Sequence, residues 1–190
     1  MTSPAVIRIF FAIDLPASAK KKVGHFINML KKQSKSHAIR WTKPENLHIT
    51  LQFLPEVKVE HIAMLKERVR AKMTANQQKI KWGLGSLHLF PNPYRPRVIV
   101  LDITPQDQLA ELSGLIGEGI VDGHYEIENR PFRAHLTLGR IKQPQGLSLN
   151  FLSELKAPSL EEMEMEEIML FRSEPQPDGS KYTVLDKVKV

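Results

Sequence analysis

Two nearly identical tetrapeptides stand 87 residues apart in this chain of 190: His48-Ile49-Thr50-Leu51 and His135-Leu136-Thr137-Leu138. Each lies in an alternation of polar and apolar residues. On a β-strand the His and Thr must therefore project from one face and the two aliphatic residues from the other. A fold that accommodates both needs two strands with one face in a core and one face free. A single copy of such a tetrapeptide carries little information, but average residue frequencies give two copies by chance in only about one chain in ten thousand of this length.

If the two strands meet across a cleft, two imidazoles and two hydroxyls converge on one small volume. Histidine titrates near neutrality, so one ring can hold a proton while the other lacks one, which supplies a general acid and a general base together. Threonine hydroxyls are donors suited to the non-bridging oxygens of a phosphodiester, whose charge grows as water adds to phosphorus. Neither tetrapeptide contains a carboxylate, and the remaining histidines, His25, His37, His61, His88 and His124, lack ligand spacing. The expectation is acid–base chemistry on a phosphodiester without metal or cofactor, and a strained cyclic phosphate suits it best.

The rest of the chain alternates between strand and helix patterns. Residues 6–15, 46–54, 79–89, 98–103, 135–141, 162–171 and 181–188 read as strands, with Pro55 closing the second. Val23, Phe26, Ile27 and Leu30 mark one amphipathic helix, Ile62, Leu65, Val69 and Met73 a second, and Leu109 through Ile120 a third that Gly114, Gly117 and Gly119 weaken. Pro175, Pro177, Asp178 and Gly179 signal a turn between the last two strands. About eight strands without regular βαβ alternation predict an α+β domain spanning 1–190, and the placement of one tetrapeptide in each half suggests two lobes.

The chain has no cysteine, which excludes thiolate catalysis and disulfides, and its formal charge of +6 favours polyanions without giving specificity. The apolar run at residues 9–13 is too short for a signal peptide core or a membrane span, so a cytoplasmic monomer with no membrane association is expected.

With these motifs in hand, the chain resembles the bacterial and archaeal RNA 2′,3′-cyclic phosphodiesterases, also called 2′-5′ RNA ligases, of the two-histidine phosphoesterase superfamily. Residues 8–16 (RIFFAIDLP), 40–54 (RWTKPENLHITLQFL), 90–98 (FPNPYRPRV), 130–140 (RPFRAHLTLGR) and 171–185 carry the likeness in the expected order. The resemblance implies a bilobal fold with two antiparallel sheets flanking a central cleft and helices packed outside. It implies His48 as the general acid on the 3′ oxygen, His135 as the base for water, and Thr50, Thr137 and Arg140 as phosphate contacts. The substrate would be an RNA end bearing a 2′,3′-cyclic phosphate, with 2′-5′ ligation as the reverse reaction. Pro55, where the family often has Gly, and Ala134, where Pro is common, depart from its pattern beside the site.

Plainer readings compete with each of these. Exposed strand histidines can be solvated; the lysines from Lys20 to Lys35 more often mark an outer helix face than an RNA track; Arg130 and Arg133 lie closer to His135. Trp41, Phe132 and Tyr94 could stack on a base, though core packing is the commoner fate of Trp and Phe. Gly83 and Gly85 lack the third glycine of a dinucleotide fingerprint and fit a strand bulge. The acidic run from Glu161 to Glu167 suits a solvated strand face with Met163 and Met165 turned inward. Two other functions use the same tetrapeptides: a binding module for phosphate-terminated RNA, and a phosphodiesterase acting on a small nucleotide.

Overall fold

A computed structural model describes residues 5–74, 79–145 and 147–189; the outermost residues of the expected 1–190 domain lie outside these. The chain runs β1 (Val6–Asp14), α1 (Ala17–Ser34), β2 (Ile39–Trp41), β3 (His48–Lys58), α2 (Ile62–Thr74), β4 (Lys81–Phe90), β5 (Val98–Thr104), α3 (Gln106–Asp122), β6 (His135–Ile141), β7 (Met163–Glu164), β8 (Glu167–Gln176) and β9 (Gly179–Lys189). Every pairing is antiparallel, in the order β7-β4-β5-β6-β3-β1-β8-β9, with β2 added beside β6. The α+β class follows directly.

The expected two sheets are joined in one hydrogen-bonded path. Its narrowest point is the middle, where β3 and β6 share the single partner pair Ile49 and Leu136. The path also curls. Only Met165 and Glu166 separate β7 at one end from β8 near the other, and two residues reach no more than about 10 Å. The segment expected as one strand over residues 162–171 is therefore two strands that cross from one half to the other, with Met165 buried between them.

Strand β3 does not stop at Pro55 but continues to Lys58. Between Leu54 and Val57 it carries one residue more than β1 does between Ile9 and Ile7, so Pro55 sits at a bulge. A missing N–H costs little there. The short strand β2 went unread because three residues are too few to show an alternation.

Helices α1, α2 and α3 bury the stripes the sequence indicated, among them Val23, Phe26, Ile27 and Leu30, then Leu65, Val69 and Met73, then Leu109, Leu112, Ile116 and Ile120. The α3 glycines are not simply a weakness. A Cβ on Gly119 would come within 2.8 Å of the Val69 backbone, so its bare backbone is what lets α2 and α3 pack closely.

Candidate active site

The site grows from the β3–β6 junction. Ile49 and Leu136 are fully buried beneath it, so strand parity sends the neighbouring His48, Thr50, His135 and Thr137 to the opposite face. Extending the antiparallel register from that one pair sets His48 across from Thr137 and Thr50 across from His135. The four residues singled out in the tetrapeptides are thus brought together, related by an approximate two-fold axis.

Arg140 reaches the same face by a bulge. Five positions separate it from His135, an odd number that regular alternation would send into the core. Between β5 and β6, however, Ile99 pairs with Gly139 and Val100 with Thr137, which leaves Leu138 as an extra residue. Leu138 and Gly139 are both buried and Arg140 is exposed, so the alternation is reset. The charge of Arg140 lowers the proton affinity of both histidines, placing it within electrostatic reach of each.

The two rings are held alike. His48 Nδ1 lies 2.7 Å from the Asn46 carbonyl, and His135 Nδ1 lies 2.8 Å from the Arg133 carbonyl, in each case two residues upstream. A carbonyl only accepts, so Nδ1 carries the hydrogen in both rings and Nε2 is left as the unprotonated nitrogen of the neutral ring. His48 Nε2 lies 3.0 Å from Thr50 Oγ1, so the neutral ring accepts a hydrogen bond from that hydroxyl. Burial is the main cause that pushes His48 down to about 4, against the upward pull of the Asn46 carbonyl and Asp14; Arg140 and Lys20 lower it further. His135 is also lowered, by burial first and then by Arg140, Arg130 and Arg133, with the Arg133 carbonyl opposing.

Around these groups lie aromatic rings and two aspartates that the sequence did not single out, joined by His88 and Arg133. Phe10 packs on the His48 ring at 4.7 Å between centroids and Tyr182 meets it edge-on at 5.2 Å, while Phe90 stacks on His135 at 5.7 Å. Asp14 is the strand partner of His48 and Asp102 the strand partner of His135. Asp14 pairs with Lys20 at 2.7 Å; Asp102 holds His88 at 2.8 Å and Arg133 at 2.9 Å. The signal was present in the segments FFAIDLP and IVLDITP, both a strand, an aspartate and a proline ahead of a helix.

Ala134 gives this site a contact that proline could not. Its N–H donates to Gln106 Oε1 at 2.9 Å, and Gln106 Nε2 donates to the carbonyls of Ile103 and Ala134, each at 2.8 Å. The first residue of α3 thereby clamps the chain immediately before His135.

Other candidates fall elsewhere. Arg130 pairs with Glu128, Tyr94 is 93% exposed, Phe132 packs at the core edge, and His25, His37 and His124 are exposed. His61 bonds the Tyr125 hydroxyl at 2.9 Å. Gly83 and Gly85 lie in β4 beside a register shift, with no helix following. A recess of about 620 Å³ between the β4–β5 turn and the segment 144–153 contains neither tetrapeptide. Among the described residues no group of three or more His, Asp or Glu is placed to hold a metal ion, and no helix is long and apolar enough to cross a membrane.

Comparison with known proteins gives one consistent picture. The LigT-like phosphoesterase family model matches residues 13–100, which include the first tetrapeptide. An RNA 2′,3′-cyclic phosphodiesterase of Archaeoglobus fulgidus is 33% identical over 177 residues, covering 93% of this chain and 96% of its own. A crystal structure of a Thermus thermophilus protein superposes with a TM-score of 0.77 at 25% identity, over 96% of this chain and 97% of its own. Escherichia coli LigT in complex with 3′-AMP does so with a TM-score of 0.77 at 24% identity, over 98% and 99%.

Proposed function

The chain belongs to the LigT-like phosphoesterase family, and we propose that it is an RNA 2′,3′-cyclic phosphodiesterase acting by general acid and base. The reading rests above all on the Ile49–Leu136 junction, which sets two histidines with the same tautomer and two threonines around one point. The halves on either side act as lobes of one domain, and the substrate enters between them.

In the reaction, His135 Nε2 takes a proton from the attacking water as oxygen bonds to phosphorus. His48 Nε2–H delivers a proton to the 3′ oxygen as the P–O3′ bond breaks, leaving a 2′-phosphomonoester. Thr50, Thr137 and Arg140 receive the non-bridging oxygens. Microscopic reversal with a 5′ hydroxyl in place of water gives a 2′-5′ linkage. No step calls for a metal ion.

A neutral His48 cannot act as an acid, and in the free protein its affinity lies near pH 4. Two features favour its charged form once substrate is present. The phosphate anion attracts the second proton, and the Phe10 ring packed on His48 offers cation–π contact to an imidazolium. Binding therefore takes up a proton. For the free enzyme one ring must be charged and the other neutral, so kcat/KM should peak between about pH 4 and 6.5, with the kcat optimum at higher pH. A kcat/KM optimum well above 7 would contradict this.

The direct test is to incubate the protein with RNA ending in a 2′,3′-cyclic phosphate, with and without EDTA, and to identify the product isomer. A 2′-phosphate formed at an undiminished rate in chelator is expected. A 3′-phosphate, tight binding without turnover, or activity restored only by metal overturns the reading.

A further inference from the structure

Beside the histidines, β2 and β6 align two guanidinium groups. Arg40 is the strand partner of Arg140, and partners across an antiparallel pair stand about 5 Å apart at Cα with side chains on one face. Neither forms an ion pair with a carboxylate among the described residues. Like charges held this close without a carboxylate in direct contact are unfavourable unless an anion joins them.

Both arginines line one recess, together with Trp41, Lys43, Asn46 and Tyr182. The recess is continuous with the proposed site, because Asn46 carries the carbonyl that holds His48 and Tyr182 packs on the His48 ring. Its wall is tied shut by Lys43 on Asp178 at 2.7 Å and by Asn46 Nδ2 donating to the Ser180 carbonyl at 2.8 Å. Asp178 pairs with Lys43 and also lies within electrostatic reach of Arg40, so three cations of the recess face one carboxylate and a net positive charge remains. Trp41 adds a buried indole N–H that has no hydrogen-bond partner among the described residues, an arrangement that costs free energy until an acceptor meets it.

Resting on the cyclic phosphodiesterase reading, we propose that Arg40 binds the phosphate on the 5′ side of the terminal nucleoside while Arg140 faces the cyclic phosphate. The recess then makes the protein selective for an RNA end over a bare nucleoside cyclic phosphate. Successive phosphates of one strand lie within the reach of two long side chains on adjacent β-strands. A guanidinium can bind each in bidentate fashion.

The test compares kcat/KM for a nucleoside 2′,3′-cyclic phosphate with that for the same compound carrying a 5′-phosphate, at low salt. The ratio should favour the 5′-phosphorylated substrate by at least about tenfold, the scale of one charge-assisted contact. Arg40→Gln should bring the ratio close to one and Arg40→Lys should restore part of it, in proteins whose melting temperatures match the parent. Lys32→Gln, on the far end of α1, should leave the ratio as it was. A parent ratio near one, a ratio unmoved by Arg40→Gln, or an equal loss in Lys32→Gln each overturns the second phosphate site while the hydrolase reading stands. If neither substrate is turned over, it is the underlying reading that fails.

Discussion

Laid over one another, the β1–β3 and β5–β6 halves repeat the same register. Asp14, Ala12 and Phe10 pair with His48, Thr50 and Phe53, as Asp102, Val100 and Val98 pair with His135, Thr137 and Arg140, and each half carries a bulge between its second and third pairs. The side chains on this shared frame differ. Phe53 stands where Arg140 does, and His48 packs against Phe10 and Tyr182 while His135 stacks on Phe90 alone among the described rings. The aspartate of one half is engaged by Lys20, and that of the other by His88 and Arg133. Equivalent backbones thus supply matched positions for two imidazoles in unlike surroundings, and the proposed division into acid and base rests on that difference.

The strongest way to break this comparison is to remove one histidine at a time. If each half supplies one of two coupled proton transfers, His48→Ala and His135→Ala should each lower turnover of an RNA 2′,3′-cyclic phosphate by at least about a hundredfold. The double variant should fall little further than the worse single one, because the pair acts as a unit. A variant of either histidine that keeps full activity would show that one half is only scaffold.

A smaller effect separates the third pair of positions. Arg140→Gln should lower kcat/KM by at least about tenfold by removing positive charge from the developing phosphorane. Phe53→Leu, at the matching position of the other half, should change it by less than about twofold. Equal losses would mean that the bulge, and not the charge it delivers, is what matters.

How much of this could be read beforehand depends on the range of the contact. The strand parity of the tetrapeptides is local, so the shared face of His48 with Thr50 and of His135 with Thr137 was legible. Arg140 came into view only through the family resemblance, because its parity depends on an extra residue at Leu138 that shows only against β5. Asp102, His88 and Arg133 converge from three separate segments, and nothing in any one segment encodes that meeting. Pro55 misled for the opposite reason: its local signal was genuine, but the pairing with β1 provided a bulge that tolerates it. The curl of the sheet rests on two residues joining strands that pair at distant places, which no periodicity reveals.

The smallest expected difference concerns stability rather than turnover. Burial holds His48 at about 4 and also lowers His135 from its ordinary 6.5, so the fold prefers both rings neutral. An unfolded chain protonates them near 6.5. Above that pH neither state binds these protons and the penalty is absent. As pH falls from 6.5 toward 4 the unfolded state binds them first and the native state loses stability relative to it; below about 4 the His48 contribution levels off. Carboxylates titrate over part of the same window, so the informative quantity is a difference between proteins. Urea unfolding at pH 7, 5.5 and 4 should show a shallower acid loss in His48→Gln than in the parent, because glutamine keeps a polar side chain but takes up no proton. His135→Gln should lie between them, since its ring is the less enclosed of the two. Three parallel curves would mean that neither ring resists a proton in the folded protein, and the asymmetry between the halves would then have to show in turnover and not in stability.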